Sequence, residues 1–230
     1  MTHPARLGSV AACAALSVAA CDTARRASPA PSDARATDSI VQAGAPVLRQ
    51  RAAEVPREQL GSPALHALTA RMIAAMRAAP GVGLAAPQLG VGLRVIVLED
   101  RHESMGKLTP LELRERERAP FPVRVIVNPV LRVIDPSPRT FFEGCLSVPG
   151  WTALVARAHE VEVEGTDADG APVRWRVAGW PARILQHELD HLDGALYVDR
   201  MAPRSFSTHE HARLRFAGKP AAEILRELEP

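Results

Sequence analysis

The sequence predicts an α+β protein, with antiparallel sheets packed around a central helix in the C-terminal half that carries an HExxH motif. Three observations lead there. Segments rich in β-branched residues cluster between residues 93 and 179. No crossover helices separate them, so antiparallel pairing is favoured over a doubly wound parallel sheet. Two stretches, 62–79 and 180–192, keep apolar residues at helical spacing.

Taken in chain order, residues 1–21 read as a signal-like segment. A short basic start (His3, Arg6) precedes an uncharged run, 7–20, rich in Ala, Val and Leu. That run is too short to span a bilayer as a helix and suits a signal-peptide core. It ends in VAAC (18–21), which looks like a bacterial lipobox. Residues 22–39 are rich in Ala, Ser, Pro and Asp and read as a disordered tether. The catalytic domain is expected over 40–205, and 206–230 as a C-terminal tail with a helix near 222–229.

Within the folded part, Ser62 is suited to cap a helix and Pro63 to its first turn. Leu65, Leu68, Met72, Ile73 and Met76 supply one apolar face, and Pro80-Gly81 stops it. Strands are expected at 93–99, 123–129, 153–167 and 173–179, with the DADG turn (167–170) joining the last two as a hairpin. The mixed-sign run LRERER (113–118) reads as a solvated helix face. The helix over 180–192 (WPARILQHELDHL) has Pro181 in its first turn and Gly194 after its end.

Composition excludes several classes. The chain has 230 residues, 47% of them hydrophobic, and a formal net charge of +2. That balance gives no reason to expect direct nucleic-acid binding. Nothing recurs at a fixed period, so a solenoid is not expected. The three cysteines, Cys13, Cys21 and Cys145, cannot close a disulfide framework.

The chemistry concentrates in HELDH (187–191). Residues four apart on a helix lie about 40° apart around its axis, so His187 and His191 can point at one metal ion. Glu188, offset by about 100°, stays free to handle protons. A catalytic site needs a third protein ligand and an open position. His209, Glu210 and His211 are downstream candidates in a polar stretch without a metzincin pattern. Cys145, in the Gly/Ser/Pro-punctuated segment EGCLSVPG (143–150), is the better one.

GVGLAAPQ (81–88), EGCLS (143–147) and HELDH (187–191) resemble, in order, the three motifs of peptide deformylases. The resemblance covers about residues 40–205. The stretch 178–201, with RSFST after it, is similar to the branch that includes mitochondrial enzymes. It implies a metal-dependent hydrolase that removes the N-formyl group from formylmethionyl peptides or nascent chains. Cys145, His187 and His191 would be the metal ligands and Glu188 the general acid/base. In that mechanism hydroxide on the metal attacks the formyl carbon. Gln88 and the Leu146 amide would donate to the oxyanion. Gly83 would offer backbone contact to substrate, and Arg157 would lie near the peptide-binding edge. Val82, Phe141, Trp180 and Ile184 would form the methionine pocket. The family implies Fe(II); Zn(II), Ni(II) and Co(II) also suit the donors. Two departures from the better-known bacterial enzymes are the long charged span 99–122 and Thr152, where some relatives carry a second basic residue. An HExxH endopeptidase and a non-catalytic envelope lipoprotein are the competing readings.

The order of basic start, apolar run, VAAC and tether predicts export and lipid attachment at Cys21. The competing expectation is a cytoplasmic enzyme with a dispensable extension. Mass spectrometry of the native N-terminus separates the two. A lipidated Cys21 as first residue is expected under the first, and an unmodified chain retaining residues 1–20 in the cytosolic fraction rejects it.

Overall fold

The apolar run Val95–Leu98 has no polar residue on either side of its pleat, and so needs cover on both faces. The computed structural model, which describes residues 39–228 except Pro80 and Lys107, shows how it is covered. Strand β2 (Val95–Asp100) lies inside a six-stranded antiparallel sheet of order β1-β2-β3-β4-β5, with β6 paired to β4. The others are β1 (Gly83–Ala85), β3 (Phe121–Cys145), β4 (Val148–Thr166), β5 (Pro172–Ala178) and β6 (Ser207–Thr208). Alternate residues face opposite ways. Val95 and Val97 join Leu84 and Val127 against Leu68, Met72 and Met76 of helix α1 (Pro63–Ala78). Ile96 and Leu98 join Ala85 and Ile126 against Ala182, Ile184 and Leu185 of helix α3 (Gly179–Leu192).

The α+β expectation holds, and so do most of its elements. Ser62 caps α1, its hydroxyl accepting from the Leu65 amide at 3.2 Å. Asp167 Oδ1 accepts from the Asp169 and Ala171 amides at 2.9 and 2.8 Å, closing the hairpin between β4 and β5.

Three differences have physical reasons. The strand expected at 123–129 continues to Cys145 despite Pro129, Pro136 and Pro138. Strand β2 pairs β3 only as far as Val127, so beyond it one edge of β3 needs no ladder donors, and register shifts at Val127/Val130, Val133/Asp135 and Asp135/Pro138 absorb the prolines. The charged span 99–122 forms a short helix, α2 (Pro110–Glu115), capped by Thr109. It is closed at its base by Arg118, whose Nε and Nη2 donate to Asp100 at 2.7 and 2.9 Å. The polar stretch after Phe206 contains an unexpected helix, α4 (His209–Phe216), followed by α5 (Ala221–Glu227). Their Ala212, Phe216 and Ile224 bury against Leu154.

The signal-like segment, nearly all of the tether, Cys13 and Cys21 lie outside the described residues. Among the described residues, no helix is long and apolar enough to cross a membrane.

Candidate active site

Helix α3 sits against the sheet with Ile184, Leu185 and Leu192 buried. The same face presents its polar residues inward. Cys145 ends β3, directly opposite. Its Sγ lies 3.3 Å from His191 Nε2. One donor atom each of Cys145, His187 and His191 lies within 4.8 Å of the others, and the two imidazoles stand nearly perpendicular, at 77°. Two imidazoles and a thiol within one coordination sphere suit a tetrahedral ion with a fourth position open. Among the described residues no other such group of His, Cys, Asp and Glu occurs. His209, Glu210 and His211 are not part of it, as the preference for Cys145 required.

Of the two imidazoles, His187 is oriented from behind, whereas His191 Nδ1 is buried without a hydrogen-bond partner. His187 Nδ1 meets Glu143 Oε2 at 3.0 Å, which leaves its other nitrogen for the cluster. Glu143 is the centre of a buried ion network. Arg157 donates to both its oxygens at 2.9 Å, and Arg183 Nη1 donates to Oε1 at 2.5 Å. Arg157 also donates to Asp190, which is held bidentately by Arg200 at 2.7 Å. Burial penalises ionised Glu143, but hydrogen bonds from His187 and Arg157, with the charge of Arg157, outweigh it and hold the carboxyl well below the usual range. Burial likewise opposes protonation of His187. Contacts with Cys145 and Glu143 override it and raise the imidazole well above its ordinary value.

Glu188 is buried and its Oε2 has no hydrogen-bond partner. Burial pushes its carboxyl up to about 7, against the opposing influence of His187. It lines the same cavity as Cys145 and His187 and fits there because residue 83 is glycine: a Cβ there would overlap Glu188 Oε1 and come within 2.9 Å of Ile184 Cγ2.

Gln88, 2% exposed, is fixed by the Ala85 amide, which donates to its Oε1 at 2.9 Å. Its Nε2 therefore faces Ser147 Oγ at 3.3 Å and Cys145 Sγ at 3.6 Å. Leu146 follows directly on the last residue of β3. A strap over residues 41–43 crosses behind both. The Val41 amide donates to Gln88 O at 2.9 Å, the Ala43 amide to Ser147 O at 2.8 Å, and Gln42 Nε2 to Leu146 O at 3.3 Å.

These residues open onto a cavity of about 490 Å³. Val82, Gly83, Trp180 and Ile184 line it, with Gln88 and Leu146. Arg116 and Arg118 of the charged span lie 5.0 Å over the Trp180 ring and fix that wall from outside.

Two expectations are corrected. Arg157 is not at a peptide-binding edge. Its side chain is 4% exposed, and burial commits the guanidinium to Glu143 and Asp190 behind the histidines. Phe141 does not line the catalytic cavity; Phe142 does. Neighbours on a strand face opposite ways, and Phe141 lies instead beneath Arg116 and Arg183, at 5.7 and 5.3 Å. Sequence reasoning also passed over Glu143, Asp190 and Arg183. The first two sit inside the quoted motifs, and Arg183 lies one helical turn before His187. Thr152, the second of the two departures noted above, is buried and donates to Glu143 O at 2.7 Å.

The fold and this cluster define a class, a metal-dependent hydrolase with a buried carboxyl beside its ligands. A family model described as polypeptide deformylase matches residues 37–207. The chain is 48% identical over 183 residues to the chloroplastic peptide deformylase 1A of Solanum lycopersicum, spanning 80% of this chain and 66% of that protein. It is 48% identical over 168 residues to the mitochondrial peptide deformylase of Homo sapiens, spanning 73% of this chain and 69% of that one. A class I type b peptide deformylase from Acinetobacter baumannii, solved with Met-Ala-Ser bound, is 35% identical and superposes with a TM-score of 0.62 over 70% of this chain and 97% of that chain. The chain belongs to the peptide deformylase family, hydrolases that remove the formyl group from N-terminal formylmethionine.

The tight approach of Gly83 and Glu188 is directly testable. Gly83→Ala should displace the carboxyl by about 1 Å and lower kcat/KM roughly 100-fold, with metal content retained. Parental kcat/KM in this variant would show that Glu188 does not depend on the contact.

Proposed function

We propose that this chain deformylates the N-terminal formylmethionine of polypeptides, with Cys145, His187 and His191 as ligands of one divalent ion and Glu188 as general acid/base. The observation that carries the reading is a buried Glu188 carboxyl oxygen without a partner, on the lining of the same cavity as Cys145 and His187, two of the three residues whose donor atoms converge. Held by Cys145, His187 and His191, a divalent ion would supply Lewis acidity, which in favourable sites brings the pKa of water from 15.7 to about 7. The thiolate makes the ligand set softer than a carboxylate-bearing one, and we assign Fe(II) on family grounds, with Zn(II), Ni(II) and Co(II) as competent substitutes.

The chain's own groups do the rest. Glu188 takes the proton of the attacking water and delivers it to the leaving amine. As attack on the formyl carbon builds negative charge on its oxygen, Gln88 Nε2 and the Leu146 amide donate to it. One such donor is worth roughly 3–4 kcal/mol. Val82, Trp180 and Ile184 supply an apolar wall for the methionine side chain, and Gly83 a backbone edge for the peptide. The neighbour from Acinetobacter baumannii holds Met-Ala-Ser, the kind of product this chemistry releases. The lipid anchor at Cys21 and residence at a membrane remain our proposal from the sequence of residues 1–39 alone. With or without it, the catalytic body is the same.

Glu188→Gln should retain metal and lose roughly 10²–10⁴ in kcat on formyl-Met-Ala, because proton transfer alone is removed. Near-parental kcat would refute the role. The base must be ionised, so kcat/KM should fall as pH drops through its pKa. The acid limb is expected at or below pH 7, because a bound cation favours the carboxylate relative to the value of about 7 to which burial, opposed by His187, raises it. A profile flat down to pH 4 would remove Glu188 from the mechanism.

Cys145→Ser should weaken metal retention strongly, a neutral hydroxyl being a far poorer ligand than a thiolate. Equal metal content after gel filtration, measured by elemental analysis, would overturn the ligand assignment.

A further inference from the structure

The end of the charged span is fastened to the body on several sides. Arg118 donates to buried Asp100 through Nε and Nη2. His159 of β4 meets Glu117 at 2.8 Å and Asp135 at 2.9 Å. The span packs directly on Gly179, the first residue of α3, where a Cβ would come within 2.5 Å of Glu117 Cβ and 2.9 Å of Arg116 O. Held in this way, the Arg116 guanidinium lies 5.0 Å over the Trp180 ring and 5.7 Å over the Phe141 ring. It makes no hydrogen bond or ion pair among the described residues. The two neighbouring guanidinium groups are engaged elsewhere. Arg118, also 5.0 Å over Trp180, is held by Asp100, and Arg183, 5.3 Å over Phe141, by Glu143. Arg116 alone of the three has only aromatic faces to hold it, through the attraction of a cation to the ring quadrupole.

We propose that Arg116 is a positioning residue for recognition of the first substrate side chain: through the Trp180 ring it fixes the apolar wall of the catalytic cavity, and so gives the charged span a part in the preference for methionine. The proposal rests on the deformylase reading. Trp180 lines the cavity with Val82 and Ile184, and its Nε1 is buried without a hydrogen-bond partner. No hydrogen bond therefore sets the tilt of the indole, and packing has to. On the cavity side the ring faces open space; on the other it is covered by Arg116 and Arg118. An indole free to tilt loses contact with a methionine side chain, which reaches the wall, and little with an alanine side chain, which is too short to do so.

The test measures kcat/KM for formyl-Met-Ala and formyl-Ala-Ala on the metal-loaded full chain. Arg116→Met removes the charge and keeps an unbranched side chain. It should lower the ratio of the two values roughly tenfold, through KM for formyl-Met-Ala. Arg116→Gln, neutral but polar, is an independent second variant and should do the same. Arg116→Lys retains a cation and should keep the ratio within about threefold of the parental one. Metal content should be parental throughout. In a Trp180→Leu background, loss of the Arg116 charge should change the ratio no further, because the two residues act as one unit. An unchanged ratio in the neutral variants, an equal loss on both substrates, or a further fall in the Trp180→Leu background would each overturn the assignment while deformylation stands. Failure of the parental chain to turn over any formyl peptide would overturn the underlying reading and this one with it.

Discussion

A single buried carboxylate, Glu143, holds the site together. It faces His187 on one side and two arginines on the other, and the carboxylate and both guanidinium groups are almost wholly buried. Burying an ionised group alone is prohibitive, whereas burying it with matched donors is tolerable. The arrangement therefore stands or falls as a unit: removing one partner from such a cluster typically costs about 3–5 kcal/mol, because the remaining charges are left uncompensated. Through Arg157 the dependence extends to Asp190 on α3 and then to Arg200, so β3, β4, α3 and the segment after it are fastened by one polar chain. Because Cys145 lies two residues beyond Glu143 on the same strand, the network that orients His187 also sets where the sulfur arrives.

Glu143 and Glu188 show how two identical side chains acquire opposite characters. Glu143 is buried among cations and stays ionised. Glu188 is buried with no donor to its Oε2 and is raised towards neutrality. One is a fixed support and the other is poised to exchange a proton. The separation of their pKa values by environment alone is the usual way a fold assigns acid–base roles. Gly83 is what allows the second environment, since any side chain there would occupy the space of the carboxyl.

Much of this was legible in the sequence, because the decisive constraints are local. The i,i+4 spacing of His187 and His191 needs only a helix, and the apolar residues of α3 announce one. Two kinds of feature were not. Strand β3 hides its length behind three prolines, which the local rules read as breaks; only the loss of its β2 neighbour after Val127 makes them harmless. Arg157 has the composition of a surface residue, and no local pattern records that Asp190, 33 positions away in sequence, will be buried beside it. Phe141 and Phe142 differ only in which way the strand faces, a parity fixed by pairing with Leu154 and Val155. Helix α4, which was not expected, is short and polar and derives its stability from the buried contacts of Ala212 and Phe216 rather than from propensity.

The strap at residues 41–43 gives the N-terminal boundary a mechanical meaning. Its two backbone amides and the Gln42 side chain tie together the loop bearing Gln88 and the turn bearing Leu146, which otherwise meet only at the cavity. A cut after Ala43 would unfasten this clasp, and the segments bearing Gln88 and Leu146 would lose their common backing.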